Sequence, residues 1–489
     1  MTDSILYRIL YSGLVLIVYF VICPPKQSTI QQYKTFIQAC LGFACVGVLV
    51  LMLAGAVWYT KKHFTGQSGP NVILIGIDTL RADHLGYLGY TRNTSPNLDR
   101  LARESLVYER AHSTTSWTLP AFHSLMTGLS PKNHRVRTTN DALSPAYTTL
   151  AELVNNEGYQ TAGFISAPYL EDTFGFEQGF DYYDESLSTG TNIGSHRNIT
   201  SRRLTNKARF WLRNRSNSPF FLFLHYWDPH YDYIPPESYD RVFYPEYDGD
   251  VNGLNIERSN KIHPGMPEDD LRQIVSLYDG EIRWTDYQLG RLFDFLQKQG
   301  LYEESWIIVV GDHGDEFLEH GGKGHRHTLY QELIHVPLII KRPGSREGRR
   351  ISKNVSINDV FPTLVRQITG ELPYPVDGKS LLTKDKNVST KQRPIYATLT
   401  RDRGTLRTVR KGDWKLILDP ADTLPQLYNV KEDPGESTNV FKQNPEVGKR
   451  MKHLLRNWKQ STTSRRGTDS RAKMSKETRR KLKGLGYLN

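Results

Sequence analysis

Cysteine is almost absent. Three occur in 489 residues, Cys23, Cys40 and Cys45, and none follows. Beyond residue 45 the chain can form no disulfide and no thiolate metal site, so any metal must be held by oxygen and imidazole nitrogen. Low-complexity tracts and internal repeats are also lacking, which excludes general disorder and solenoid folds. A basic reading face for nucleic acid is missing as well. The net charge of +11 is concentrated in residues 461–489, with nine basic residues against Asp469 and Glu477. Nucleic-acid binding needs such charge on a folded face with aromatic or helical readers, so no nucleic-acid partner is expected. A basic tail suits either contact with anionic lipid or plain solvation.

What is present begins with an apolar N-terminus. Residues 35–60 carry no charge and end in Val57-Trp58-Tyr59 before Lys61-Lys62. That is the length and the interfacial aromatic pair of a membrane-spanning helix. Residues 9–23 are a shorter apolar stretch, so one or two transmembrane helices are expected. No small-x-small site follows the first stretch, which disfavours a cleaved signal peptide. Arg8, Lys61 and Lys62 on one side nearly balance Lys26 and Lys34 on the other, so charge sets no orientation. The expected organisation is a membrane anchor over 1–65, a catalytic domain over 70–390, a C-terminal subdomain over 391–460 and the basic tail over 461–489.

Residues 72–77 (VILIGI), 220–224 (FFLFL), 306–310 (WIIVV) and 336–340 are β-rich apolar runs, as strands buried on both faces are. Helical patterns at 97–104, 149–157 and 277–299 lie between them. The alternation predicts an α/β fold, a three-layer α/β/α sandwich with a mainly parallel sheet. Short strands at 395–400, 406–409 and 414–418, separated by Gly404 and Gly412, and a helix near 447–460 predict a small antiparallel sheet subdomain.

Asp78 ends the first strand, and Asp312-His313 end the strand at 306–310. In open parallel sheets ligands sit outside the carboxyl ends of strands. Two carboxylates and an imidazole there suit a zinc or manganese type of ion. A lone Asp after a strand is more often a helix N-cap. Residues 116–128 read as a helix with Pro120 in its first turn and Gly128 at its C-cap. Thr118 then stands at the helix N-terminus, where free N–H groups and the dipole favour anions. A hydroxyl placed there and on a metal becomes a nucleophile, and a plain N-cap is the alternative. His225 and His230 follow one strand, His325 and His327 another. Imidazoles at such positions can hold anionic oxygens or protonate a leaving group, and spacing alone does not rank them.

These residues resemble a known family. Residues 71–86, with Asp78, resemble the opening metal-binding strand of sulfatases. Thr118-Leu-Pro120, followed by Leu125-Met-Thr-Gly128, is similar to their nucleophile motif: Cys or Ser, any residue, Pro, then a helix ending Leu-Thr-Gly. Asp228-Pro-His230, Gly311-Asp312-His313-Gly314, His327-Thr-Leu-Tyr330, Val336-Pro-Leu-Ile-Ile340, Leu427-Tyr428 with Asp433-Pro434, and the ending Leu482-Lys-Gly-Leu-Gly-Tyr-Leu488 also match. The resemblance spans residues 71–489 and implies the sulfatase branch of the alkaline phosphatase superfamily. It implies one divalent ion (Mn, Zn or Ca) on Asp78, Thr118, Asp312 and His313. It implies Thr118, His230 and His327 as catalytic groups, with His134, His225 and His325 as candidate substrate contacts.

The departures matter. Sulfatases convert the motif Cys or Ser to formylglycine, and Thr118 cannot become that aldehyde. Phe122 replaces the Arg four residues on, Thr79 the second Asp of the usual pair, and His313 the usual Asn. The set is similar to superfamily members that use unmodified Thr on phosphodiesters or phosphoglycerol groups, and to phosphonate monoester hydrolases. Three readings follow: a phosphoester hydrolase or transferase, a sulfuric ester hydrolase, and a non-catalytic membrane-bound binding protein. The expected partners are a phospho- or sulfo-ester, lipid or glycan linked, and the membrane. Resemblance to surface-acting members favours the extracytoplasmic side.

Overall fold

The apolar run at 71–77 forms a strand, β1 (Asn71–Ile77), buried at every residue. Its side chains alternate strictly between two cores. Val72 and Leu74 join one cluster, and Ile73, Ile75 and Ile77 the other. A strand covered on both faces needs this composition, because neither face meets water. The computed structural model describes Gly42, Gly47, Met52 and residues 69–489, except 189–198, 373, 384–391, 462–468, 485–487 and 489.

The chain continues through α1 (Pro96–Arg103), β2 (Leu106–His112), α2 (Thr118–Thr127), α3 (Leu150–Asn156), β3 (Gln160–Phe164) and β4 (Tyr182–Asp184). Then come α4 (Ser201–Asn214), β5 (Phe220–Tyr226), the long α5 (Glu268–Lys298), β6 (Ser305–Gly311), β7 (His335–Val336), β8 (Leu338–Lys341), β9 (Arg349–Ser356) and α6 (Val360–Ile368). These strands form one sheet. Its centre runs β6–β1–β5–β3–β4, all parallel. Helices α2, α3 and α6 supply the core on one face, and α1, α4 and α5 on the other. The expected mainly parallel sheet between two helical layers is therefore present.

Some boundaries differ from expectation. The run at 336–340 is antiparallel to both its neighbours and splits into β7 and β8 at Pro337, which has no N–H to give a ladder. Helix α5 begins nine residues before the expected start at Leu277, with Glu268, Asp269 and Asp270 in its first turn. Acidic side chains there favour the helix dipole, and periodicity alone missed them. Helix α3 keeps the expected start through a capping box of Thr149 and Glu152.

The C-terminal part holds β10 (Ile395–Arg401), β11 (Gly404–Lys411), β12 (Trp414–Leu418) and β13 (Gln426–Asn429), a four-stranded antiparallel sheet covered by α7 (Pro445–Gln460). The last strand was not anticipated. Ala397 and Leu399 on β10 belong to the main core, so this sheet is docked on the larger one.

The described part of the basic tail packs on the domain through a few residues, while most of its basic side chains are exposed. Ser470-Arg471 pair with Asp141-Ala142, and α8 (Lys476–Gly484) sets Lys481 against Glu171 at 2.7 Å. Met474 and Leu482 are buried apolar anchors, a pattern that charge counting hid. Among the described residues no helix is long and apolar enough to cross a membrane. The two N-terminal stretches lie outside the described residues, apart from Gly42, Gly47 and Met52.

Gly76 carries a specific packing demand. A Cβ on it would lie 2.4 Å from the Phe122 ring. The bare backbone of β1 thus lets α2 seat against the sheet. Gly76→Ala is expected to cost about 1–3 kcal/mol through overpacking. A lowered denaturant midpoint with an unchanged slope would report it, and an unchanged midpoint would refute this role.

Candidate active site

Register delivers the site. Ile77 of β1 is level with Tyr226 of β5 and Gly311 of β6. The residues that follow, Asp78, Trp227 to His230, and Asp312-His313, therefore leave one sheet edge together. Helix α2 lies over this edge and starts at Thr118. Gly128 closes the helix in the left-handed conformation, as expected of its C-cap.

Thr118 Oγ1 lies 3.3 and 3.4 Å from the two oxygens of Asp78 and 3.2 Å from His313 Nε2. His313 Nε2 is also 3.4 Å from Asp78 Oδ1 and 3.3 Å from Asp312 Oδ2. Its Nδ1 is 3.1 Å from the Gly314 carbonyl, which puts the ring proton on Nδ1 and a lone pair on Nε2. All four residues are buried. Asp312 Oδ1 accepts from the backbone N–H groups of Thr79 and His313, but its Oδ2 is buried without a hydrogen-bond partner. Buried carboxylate oxygens are rarely left so.

The charges make the same point. Burial raises Asp78, but its hydrogen bond to His225 and the charges of His230 and His313 outweigh this and hold it below the usual carboxylate range. Burial, then the charge on Asp78, pushes Asp312 well above that range. Burial lowers His313 to about 3, so its ring is a neutral donor. Two carboxylates, a neutral imidazole and a hydroxyl around an unfilled oxygen lone pair fit a divalent cation of the hard or borderline class.

A row of rings leads away from this cluster. The His325 centroid is 4.4 Å from that of His313 and 5.1 Å from that of His230. Asp315 binds His325 Nδ1 at 2.7 Å and accepts from Tyr233 at 2.6 Å. The sequence reading missed Asp315, although it sits two residues after His313. Arg326 was also unassigned. Its guanidinium stacks on Trp117, 4.6 Å from the ring centroid, so a cation stands beside the first turn of α2.

Other expected residues serve elsewhere. His327 Nε2 is 2.6 Å from Glu316, and its Nδ1 is 3.1 Å from the His325 carbonyl. Burial opposes its charge, but Glu316 outweighs that and raises His327 above the ordinary imidazole range. Both ring nitrogens are engaged on the loop that carries His325. His225 is fully buried, with Nε2 3.4 Å from Asp78 and its ring against Phe122, so it backs the Asp78 carboxylate. His134 is bonded to Ser124 on α2 and to the Val136 N–H, away from the cluster. Asp228 caps α4 through the Ser201 and Thr200 N–H groups.

Residues 70–370 match the sulfatase family model, well over half of the chain. The chain belongs to the sulfatase family. Residues 319–461 also match the model of the C-terminal part of N-sulphoglucosamine sulphohydrolase. Among relatives, the multifunctional alkaline phosphatase superfamily protein PehA of Trinickia caryophylli is 28% identical over 474 residues, covering 76% of this chain and 91% of its own. Human arylsulfatase K is 23% identical, covering 79% and 82%. In fold the chain is similar to the phosphonate monoester hydrolase of Agrobacterium radiobacter, with a TM-score of 0.67, 23% identity and coverage of 81% and 97%. A second structure, solved with its substrate D-glucosamine-2-N,6-O-disulfate, also gives 0.67, at 19% identity and coverage of 80% and 97%. The protein is thus a hydrolase of the sulfatase and alkaline phosphatase superfamily. Enzymes of this kind use a divalent ion, and this sulfatase-family member has the donors for one.

Two outcomes are expected. Neutralising one carboxylate removes the repulsion that a cation otherwise relieves. Asp312→Asn should unfold at a higher temperature than the wild type in chelator, yet lose the stabilisation that the wild type gains from added Mn²⁺ or Zn²⁺, about 4 kcal/mol at a thousandfold excess over Kd. Parallel melting curves of the two proteins under both conditions would overturn the assignment. The second concerns His320 beside the site loop, 2.8 Å from Glu332. Burial lowers it, but the Glu332 pair outweighs this and raises it from 6.5 to about 8. The folded state holds that proton more tightly than the unfolded chain. Its contribution to stability is therefore complete below pH 6.5 and lost as pH rises through about 8. Chemical denaturation across this range should show the decline in wild type and not in His320→Gln.

Proposed function

We propose that the chain is a metal-dependent phosphoester hydrolase that works through a covalent intermediate on Thr118. The observation that carries this is the place of one oxygen. Thr118 Oγ1 stands at a helix N-terminus, 3.2–3.4 Å from Asp78 and His313. Asp78, Asp312, His313 and Thr118 would hold the cation, which when bound supplies positive charge to stabilise the threonine alkoxide and the developing charge on the ester. Mn, Zn and Ca all accept such a donor set.

In the proposed cycle Thr118 Oγ loses its proton to water and attacks phosphorus. The P–O bond to the leaving alcohol breaks as that oxygen takes a proton from His230. Water, or an acceptor alcohol in a transferase, then attacks phosphorus and gives its proton to His230. The bond between Thr118 and phosphorus breaks, and Thr118 recovers a proton from water. His230 takes the acid role because His327 is spent on Glu316. Arg326 and the first-turn N–H groups of α2 face the ester's anionic oxygens.

The side-chain chemistry favours phosphorus. Formylglycine hydrate expels sulfate by collapsing to the aldehyde, and a threonine ester has no such route. It must be hydrolysed, which phosphoryl groups undergo with charge stabilisation and positioning. PehA and the phosphonate monoester hydrolase lend support by similarity. Sulfuric ester hydrolysis is the second reading, favoured by the family match and by similarity to arylsulfatase K. Membrane attachment through residues 1–65, with the catalytic part on the extracytoplasmic side, remains part of the proposal.

Thr118→Ala should lose at least about a thousandfold in kcat on a phosphodiester with Mn²⁺ or Zn²⁺, while Thr118→Ser keeps measurable turnover. His230→Gln should lose about a hundredfold or more on an alkyl ester and much less on a 4-nitrophenyl ester, whose oxygen leaves without a proton. Unchanged turnover in Thr118→Ala ends the covalent scheme. Faster release of sulfate than of phosphate from matched aryl esters selects the second reading.

A further inference from the structure

A carboxylate that neither the cation cluster nor the proposed cycle uses stands at the rim of the site. Glu257 lies in the stretch between β5 and α5, and sequence spacing gave no sign of it. Its backbone is pinned on every side. Asp232, two residues after His230, accepts the Asn255 and Ile256 N–H groups at 2.5 and 2.8 Å. Lys323, two residues before His325, donates to the Ser259 and Ile262 carbonyls at 2.6 and 3.2 Å. Arg258 donates to the Lys483 and Gly484 carbonyls of α8 at 3.1 and 3.0 Å. Residue 257 is thereby held between the loop of His230 and the loop of His325.

Its side chain meets both loops. The Glu257 carboxylate accepts from the Tyr231 hydroxyl and lies within electrostatic reach of Arg326 and His230. Tyr231 is buried, its ring centroid 4.4 Å from that of His230 and 5.0 Å from that of His325. Arg326 stacks on Trp117, the residue before Thr118, and gives its N–H to the Ser116 carbonyl at 3.1 Å. Glu257 is therefore bracketed by residues that adjoin the proposed acid His230 and the nucleophile Thr118. It is exposed, so an entering ester can feel its charge. Desolvation raises its carboxyl above the ordinary value, against the pull of Arg326, Tyr231, His230 and Arg258. The other nearby cation, Lys323, is bonded to backbone carbonyls.

We propose that Glu257 sets the charge class of the substrate, admitting esters with one negative charge and rejecting dianionic phosphate monoesters. A divalent ion would offset Asp78 and Asp312, which leaves Arg326 to attract the ester. A single negative charge is met by that guanidinium. A second charge is repelled by Glu257. Phosphodiesters and sulfuric esters both carry one charge at neutral pH. The inference thus rests on the site proposed above, with Thr118 beside Arg326, and holds for either ester.

Kinetics of the full chain with Mn²⁺ at pH 8 test this, with methyl 4-nitrophenyl phosphate as monoanion and 4-nitrophenyl phosphate as dianion. Glu257→Gln keeps an acceptor for Tyr231 and removes the charge. It should raise kcat/KM on the monoester about tenfold and leave the diester within about twofold. Glu257→Asp keeps the charge and should keep the wild-type ratio. The second proton of a phosphate monoester has a pKa near 6, so the variant's advantage over wild type should disappear by about pH 5. A loop merely loosened by substitution would lower both activities and leave their ratio and its pH profile unchanged. Calorimetry on Mn²⁺-loaded protein reads the same preference without turnover. Methyl phosphate should bind about tenfold more tightly to Glu257→Gln than to wild type, and dimethyl phosphate equally to both. This second arm decides the inference even where the covalent scheme on Thr118 fails. An unchanged monoester-to-diester ratio in Glu257→Gln, the same change of ratio in Glu257→Asp, or equal binding of methyl phosphate to wild type and Glu257→Gln would overturn the proposal.

Discussion

Two carboxylates buried in one corner set the terms for the rest of this structure. Asp78 and Asp312 leave adjacent parallel strands at the same level, and neither can move without breaking ladder hydrogen bonds. Desolvation and mutual repulsion resist two negative charges there, so the corner needs a neutralising partner. His225 and His313 surround Asp78 but are themselves kept neutral by burial. Asp312 Oδ2 stays without a hydrogen-bond partner. A divalent cation would complete the corner, with the hydroxyl of Thr118 as a further oxygen beside it.

The packing keeps that oxygen in place. Helix α2 is apolar along its length and rests on β1 through Phe122, whose ring lies over Gly76 and against His225. Members of the family that carry Arg at this position put a charge there. Here the ring seals the back of the site and presses His225 toward Asp78. Thr79, where a second Asp is usual, keeps a left-handed backbone (φ 50°) and gives its N–H to Asp312.

The features that sequence made legible are those controlled by local pattern. Buried strands announce themselves as apolar runs, and the position after each run is the sheet edge where ligands gather. Asp78, Thr118, Asp312 and His313 could be placed for that reason. What sequence left open depends on which partner a side chain finds across the fold. His327 and His325 stand two residues apart after the same strand, yet one is held by Glu316 and the other by Asp315. His134 and His225 read as site residues and are enclosed by Ser124 and Phe122. In the basic tail, net charge masks the two apolar residues, Met474 and Leu482, that anchor it.

Buried ion pairs elsewhere in the molecule contrast with the Asp78–Asp312 corner. Lys415 and Glu436 are both fully buried and meet at 2.8 Å, and the same Glu436 oxygen also accepts the Gln331 N–H. Lys481 with Glu171 and Arg393 with Asp359 follow the same rule. Burying an ion with its partner leaves no demand for a ligand, whereas burying it without one carries a free-energy cost that selection removes unless the site is used. The Asp78–Asp312 corner sets two carboxylates side by side with no Lys or Arg paired to either among the described residues. Family membership and the donor set together argue that the corner is a site for a cation the chain does not itself contain.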